Sequence, residues 1–225
     1  MILIFDLDDT LYDERSFVLG GLRAVAQYGE TEFGWDADRS LAFMTERLDR
    51  QGRGRIFDDW LAARGKNTRG RVRDCVRIYR HHRPALSLFP AARTVLDRYG
   101  PAHPLYLVTD GHKIVQKNKV DALDLWGEFR RVMITHRFGR RNAKPSTHCF
   151  QRIREIEACG WPDLIYVGDN PQKDFVNLNK KGAKTVRVLT GMHRGHKAGS
   201  GYDAQHTIAD LRALPDLLDG IGCRH

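Results

Sequence analysis

At 225 residues, 41% of them hydrophobic and 29% charged, the chain can bury one sizeable core and is neither disordered, fibrous nor disulfide-built. It lacks an apolar run near the roughly 18 residues of a membrane span, and no basic leader precedes its first apolar segment, so a cytoplasmic protein off the membrane is expected. A formal charge of +9 favours anionic partners, a phosphorylated metabolite or a nucleic acid, but the arginines come in short groups and not in the uninterrupted basic tail of a nucleic-acid arm.

The first element is the apolar run Ile2-Leu3-Ile4-Phe5, which reads as a buried parallel strand. It delivers Asp6-Leu7-Asp8-Asp9-Thr10 to its own C-terminal end, where open α/β sheets bind ligands. Two carboxylates two residues apart at that place suggest a metal site, an acid/base pair, or a nucleophile beside its proton donor. The plainer alternative is an Asp-rich strand-to-helix turn.

Helical spacing follows. Phe17, Leu19, Leu22, Val25 and Ala26 predict a helix over 14–28, broken at 29–35. Leu41, Met44 and Leu48 predict a second over 36–49, and 55–63 a third between glycines. A fourth covers 70–82 with Val72, Val76 and Tyr79 inward. No strand signal lies between residues 12 and 84, so this stretch is a helical insert. Residues 14–86 are therefore expected to form a cap domain, and residues 1–13 with 87–225 an α/β core domain.

Beyond Pro90 the elements alternate. A helix over 91–99 precedes a strand over 105–108 that ends in Thr109-Asp110-Gly111. A helix over 112–123, a short strand over 132–134, a basic loop to Lys144-Pro145 and a helix over 147–159 come next. A strand over 164–167 ends in Gly168-Asp169-Asn170, and a helix over 172–181 stops at Gly182, a good C-cap residue. A strand over 185–188, a flexible loop over 190–205 and a helix over 208–218 close the chain. Alternating strands and helices imply right-handed crossovers and a doubly wound parallel sheet. Cys75, Cys149, Cys159 and Cys223 are scattered, which predicts reduced, inert thiols; Trp126 and Trp161 read as packing residues.

Three strands thus end in reactive groups, and Lys144 opens a helix; a parallel sheet brings all four to one edge. This ordered set resembles the haloacid dehalogenase (HAD) superfamily. The family's four motifs read here as Asp6-Leu7-Asp8-Asp9-Thr10, Leu107-Val108-Thr109-Asp110-Gly111, Lys144-Pro145 and Gly168-Asp169-Asn170-Pro171-Gln172-Lys173-Asp174. The resemblance implies a HAD-like Rossmannoid core with a C1 cap inserted after the first strand.

It also implies a hydrolase that forms an aspartyl-phosphate on Asp6, with Asp8 as proton donor and then base. Asp6, Asp169 and the Asp8 backbone carbonyl would hold Mg²⁺, and Lys144 would neutralise charge. Thr109 with the amides of Asp110 and Gly111 would bind phosphoryl oxygens. Thr10, Asn170 and Asp174 would support the site from behind. In the same resemblance Gln116 and Lys119 look structural, and His193 and His196 flank a glycine-rich loop.

Dehalogenases resembling this fold lack an acid at the position of Asp8, so its presence favours phosphomonoesters. Residues 14–90 hold 15 Lys and Arg against 10 Asp and Glu, a mildly basic cap. A lid suits a small phosphorylated metabolite, a sugar phosphate or nucleotide, better than a polymer. A phosphomutase of the same superfamily and a non-catalytic nucleic-acid-binding protein are the alternatives. The sequence does not specify an oligomeric state.

Overall fold

A computed structural model describes residues 1–222, so Cys223 lies outside the described residues. The chain divides into two compact units: Met1–Glu14 together with the residues from Leu86 onward, and Arg15–Ala85.

Among the described residues of the first unit, six strands form one wholly parallel sheet. They are β1 (Ile2–Phe5), β2 (Leu105–Thr109), β3 (Arg131–Ile134), β4 (Leu164–Gly168), β5 (Lys184–Val188) and β6 (His206–Ile208), in the order β3-β2-β1-β4-β5-β6. Every residue of β1, β2 and β4 is buried, as expected of strands covered on both faces. Alternate residues Ile2, Ile4, Tyr106, Val108, Leu164 and Tyr166 share one core cluster. It includes Phe150 and Ile153 of α7 (His148–Ile156) and Leu178 of α8 (Val176–Lys181). Helices α5 (Pro90–Tyr99), α6 (Lys113–Ala122) and α9 (Leu214–Gly222) complete this unit.

The second unit holds most of α1 (Glu14–Phe33) with α2 (Ala37–Gln51), α3 (Ile56–Ala62) and α4 (Arg69–His81), around Leu22, Val25, Met44, Trp60, Leu61 and Cys75. Caps set the starts of α2 and α4: Asp36 accepts from the Arg39 amide and Thr68 from that of Arg71. No helix among the described residues is long and apolar enough to cross a membrane.

Several expected boundaries move. Helix α1 runs through Gly29 instead of breaking there, because that glycine lets Trp60 approach: a Cβ would lie 2.7 Å from the indole. The inward face of α4 centres on buried Cys75, with Val76 only half-buried. Helix α7 ends at Ile156, leaving Cys159 beyond it, and α8 starts only at Val176 because the preceding residues wrap the site. Residues 206–208 form a sixth strand where a helix was expected to begin; three residues are too few to show a period. Trp126 is exposed, its indole N–H donating to Asp121 Oδ1 at 2.7 Å with the Arg137 guanidinium over the ring. Among the described cysteines none is disulfide-bonded, and burial pushes the Cys75 thiol up to about 12 and that of Cys149 up to about 11, so both stay protonated.

Candidate active site

The strand order reverses direction between β1 and β4, the position at which doubly wound sheets leave a crevice beyond their carboxyl ends. Asp6 follows β1 and Asp169 follows β4. Backbone pairing fixes the first of them, since the Asp6 amide donates to the Val167 carbonyl at 2.8 Å. A tight turn folds Asp174 back: its Oδ2 accepts from the Asn170 amide at 2.9 Å, and its own amide donates to the Asn170 carbonyl at 3.0 Å. Carboxylate oxygens of Asp6, Asp169 and Asp174, all buried, lie within 4.8 Å of one another. Gly168 makes room for this, because a Cβ there would meet Asp174 Oδ2 at 2.8 Å.

Lys144 reaches the same place from the loop before α7. Its ammonium lies 2.8 Å from Asp6 Oδ1, 2.8 Å from Asp174 Oδ1 and 2.8 Å from the Tyr166 hydroxyl. Three buried carboxylates with one ammonium, which touches two of them, leave an excess of negative charge. Burial is the main cause that pushes the Asp6 carboxyl up to about 7 and that of Asp169 up to about 9, aided by the neighbouring carboxylates. Asp174 is shifted the other way: Lys144 and Lys173 and the Asn170 amide outweigh its burial.

A cluster of carboxylate oxygens alone, with no thiolate or imidazole in it, is the donor set of a hard cation such as Mg²⁺ and could hold one. The raised carboxyls bind protons more tightly folded than unfolded, so their contribution is full below pH about 4 and is lost as pH climbs through about 7 and about 9. Asp174, shifted down, keeps its contribution across that window. The melting temperature of metal-free protein should therefore fall over this range, less so in Asp169→Asn, and added Mg²⁺ should recover more at the alkaline end. Calorimetry showing a flat profile without metal contradicts this.

Asp8 occupies a separate nest. Its Oδ1 accepts from the Tyr12 hydroxyl and from Lys119 Nζ, each at 2.7 Å, and its Oδ2 from Gln116 Nε2 at 2.9 Å. Lys119, only 2% exposed, also pairs with Glu14 at 2.9 Å. Gln116 further donates to Thr109 Oγ1 at 2.5 Å. Gln116 and Lys119 therefore meet the candidate site directly, although they looked merely structural in the sequence. Their signal was the spacing itself: residues three apart on one helix share a face, which here points at Asp8 and Thr109.

The remaining expected residues fall at the same sheet edge. Thr109 ends β2 and is buried, with Asp110 and Gly111 following; Gly111 has φ 142°, a conformation that suits glycine. The Asp110 side chain is anchored, its Oδ1 accepting from the Thr135 hydroxyl at 2.5 Å and from the Lys144 amide at 3.1 Å. Thr10 is fully buried in the turn after β1.

Asn170 contacts His193, its Nδ2 lying 3.0 Å from the imidazole Nε2, and His193 Nδ1 lies 2.8 Å from His196 Nδ1. Asp9, with φ 55°, was not singled out, yet it joins this loop to the first motif. Its carboxylate accepts from the amides of Glu14 and Met192, and its carbonyl accepts from the Thr190 hydroxyl.

Comparison with known proteins agrees with this architecture. Residues 3–188 match the haloacid dehalogenase-like hydrolases, and the chain belongs to that family of enzymes. Its relatives include the glyceraldehyde 3-phosphate phosphatases of Methanocaldococcus jannaschii, 26% identical with 97% of each chain covered, and of Methanothermobacter thermautotrophicus, 23% identical with 96% of this chain and 98% of the other covered. Among solved structures, the HAD-hydrolase YfnB of Bacillus subtilis, bound to magnesium, superposes with a TM-score of 0.71 at 17% identity, covering 97% of this chain and 98% of that one. The sequence-derived fold class and family stand; the sixth strand is the addition.

Proposed function

We propose that this hydrolase is a Mg²⁺-dependent phosphatase that cleaves a small phosphorylated metabolite through an aspartyl-phosphate on Asp6. One observation carries the reading: a buried carboxylate held by a lysine ammonium, with two further carboxylates beside it and a fourth, Asp8, two residues along the chain. Phosphate monoesters resist hydrolysis so strongly that acceleration approaching ~10²¹ can be required, and most of it must come from positioning and charge.

Lys144 occupies Asp6 Oδ1, so Oδ2 is the oxygen available to attack phosphorus. As that bond forms, the ester P–O bond breaks and the departing alkoxide takes a proton from Asp8. A water then attacks the aspartyl-phosphate, giving its proton to Asp8 and releasing inorganic phosphate with Asp6 regenerated. To serve in this way Asp8 must release one of its three present donors. Gln116 donates to Thr109 Oγ1, which leaves the threonine O–H to donate to a phosphoryl oxygen; the amides of Asp110 and Gly111 would add to it. Asp6 and Asp169, with Asp174 beside them, would hold Mg²⁺, which when bound supplies the charge that lets an anionic nucleophile meet an anionic ester.

The two glyceraldehyde 3-phosphate phosphatases among its relatives make a triose phosphate the first natural substrate to test. Purified protein with Mg²⁺ should release inorganic phosphate from p-nitrophenyl phosphate and from glyceraldehyde 3-phosphate, and EDTA should lower the rate at least about 100-fold. Failure to release phosphate from any of a panel of phosphomonoesters sinks the reading. Conversion of a hexose 1-phosphate without net phosphate release would identify a mutase instead.

A further inference from the structure

Tyr166 lies within β4, where its neighbours Ile165 and Val167 are apolar and where it pairs with Ile4 and Thr185 on the adjacent strands. It is fully buried. Phe150 packs edge-on against its ring with centroids 4.9 Å apart, and Phe175 lies at 6.2 Å, so the ring direction is set by packing. A buried tyrosine normally finds a partner for its hydroxyl, and this one has two. The hydroxyl donates to Asp174 Oδ1 at 3.1 Å and accepts from Lys144 Nζ at 2.8 Å. An ammonium has three N–H groups and no acceptor. Here the three are met by Asp6, Asp174 and Tyr166, each at 2.8 Å.

We propose that Tyr166 is a positioning residue of the reaction, acting through Lys144. Two carboxylates alone can draw a flexible lysine toward either of them. The phenol oxygen supplies the third, neutral contact that fixes the ammonium between them, and so fixes which oxygen of Asp6 is left to attack. A phenol is neutral in its ordinary range, so this contact adds no charge to a site already rich in carboxylates. Gly168 belongs to the same construction, since a Cβ at that position would meet both Asp174 Oδ2 at 2.8 Å and Tyr166 Cε1 at 3.3 Å.

The inference rests on the phosphatase reading for its kinetic arm and on geometry alone for its spectroscopic one. Tyr166→Phe removes only the hydroxyl. With p-nitrophenyl phosphate and Mg²⁺ it should lower kcat roughly ten- to a hundredfold while KM stays within about twofold. In a Lys144→Met background the same substitution should change the residual rate by less than about twofold, because the group it acts through is gone. The ¹⁵Nζ signal of the Lys144 ammonium should shift and its protons exchange faster in Tyr166→Phe. Wild-type kcat in Tyr166→Phe, an equal loss with and without Lys144, or an unmoved Nζ signal each overturns the proposal. If the Phe variant does not fold, Tyr166→Met, which also lacks the hydroxyl, is measured in its place. Should the wild type cleave no phosphomonoester, the reaction assignment fails while the Nζ signal still decides the role of Tyr166.

Discussion

Asp6→Asn should lower kcat for phosphomonoester cleavage by at least about 10⁴-fold while making the metal-free protein more stable at alkaline pH. The first half follows from chemistry: an amide is no nucleophile toward phosphorus, and loss of a covalent catalyst typically costs about four to six decades. The second follows from the local charge. Asp6 sits buried beside Asp169 and Asp174 with one ammonium among them, and burial has pushed its carboxyl up to about 7. Above that pH the carboxylate is a net liability unless a metal cation joins the Lys144 ammonium, and an amide of the same shape removes it. Activity with phosphate release and thermal melting at pH 8 to 9 check the two halves separately. Near-wild-type turnover in Asp6→Asn would show that the nucleophile is another group, whatever the melting temperature does.

Asp6, Thr109 and Asp169 each stand at the end of an apolar strand. There a continuous apolar run gives way to polar residues, and a parallel sheet gathers such ends at one edge. Their place is set by local sequence plus topology, and both were legible.

Tyr166, Gln116 and Lys119 were not. Each lies inside a regular element, where its type has an ordinary reading: a bulky residue suited to a buried strand, or polar residues suited to a solvated helix face. Which way Gln116 and Lys119 point depends on how α6 lies against the sheet, and what the Tyr166 hydroxyl meets depends on Lys144 and Asp174 arriving from other elements, both tertiary facts. Gly29 shows the same limit in the helical unit, for it resembles a helix stop until the position of Trp60 is known. Even so, the nest around Asp8 could have been suspected, because Gln116 and Lys119 follow Thr109 by a turn and then continue along one face.

Lys144→Met should share the activity loss of Asp6→Asn but oppose its effect on stability, costing both. Methionine keeps the length and apolar stem of the lysine but leaves Asp6, Asp174 and the Tyr166 hydroxyl without the cation they surround. Removing one partner from a buried ion pair typically costs about 3–5 kcal/mol. In a protein of this size that corresponds to a drop of roughly 6–20 °C in melting temperature. Asp174 should respond most in its titration, since Lys144 is the largest of the influences that hold its carboxyl down.

The variant should therefore lose most stability near neutral pH and recover part of it as acid protonates the stranded carboxylates. Excess Mg²⁺ should rescue part of the melting temperature by replacing the missing positive charge. It should not rescue turnover, because a cation shared among three carboxylates does not single out one oxygen of Asp6 as the lysine does. Recovery of both by Mg²⁺ would mean that Lys144 contributes charge alone, and that the orientation of Asp6 is set elsewhere.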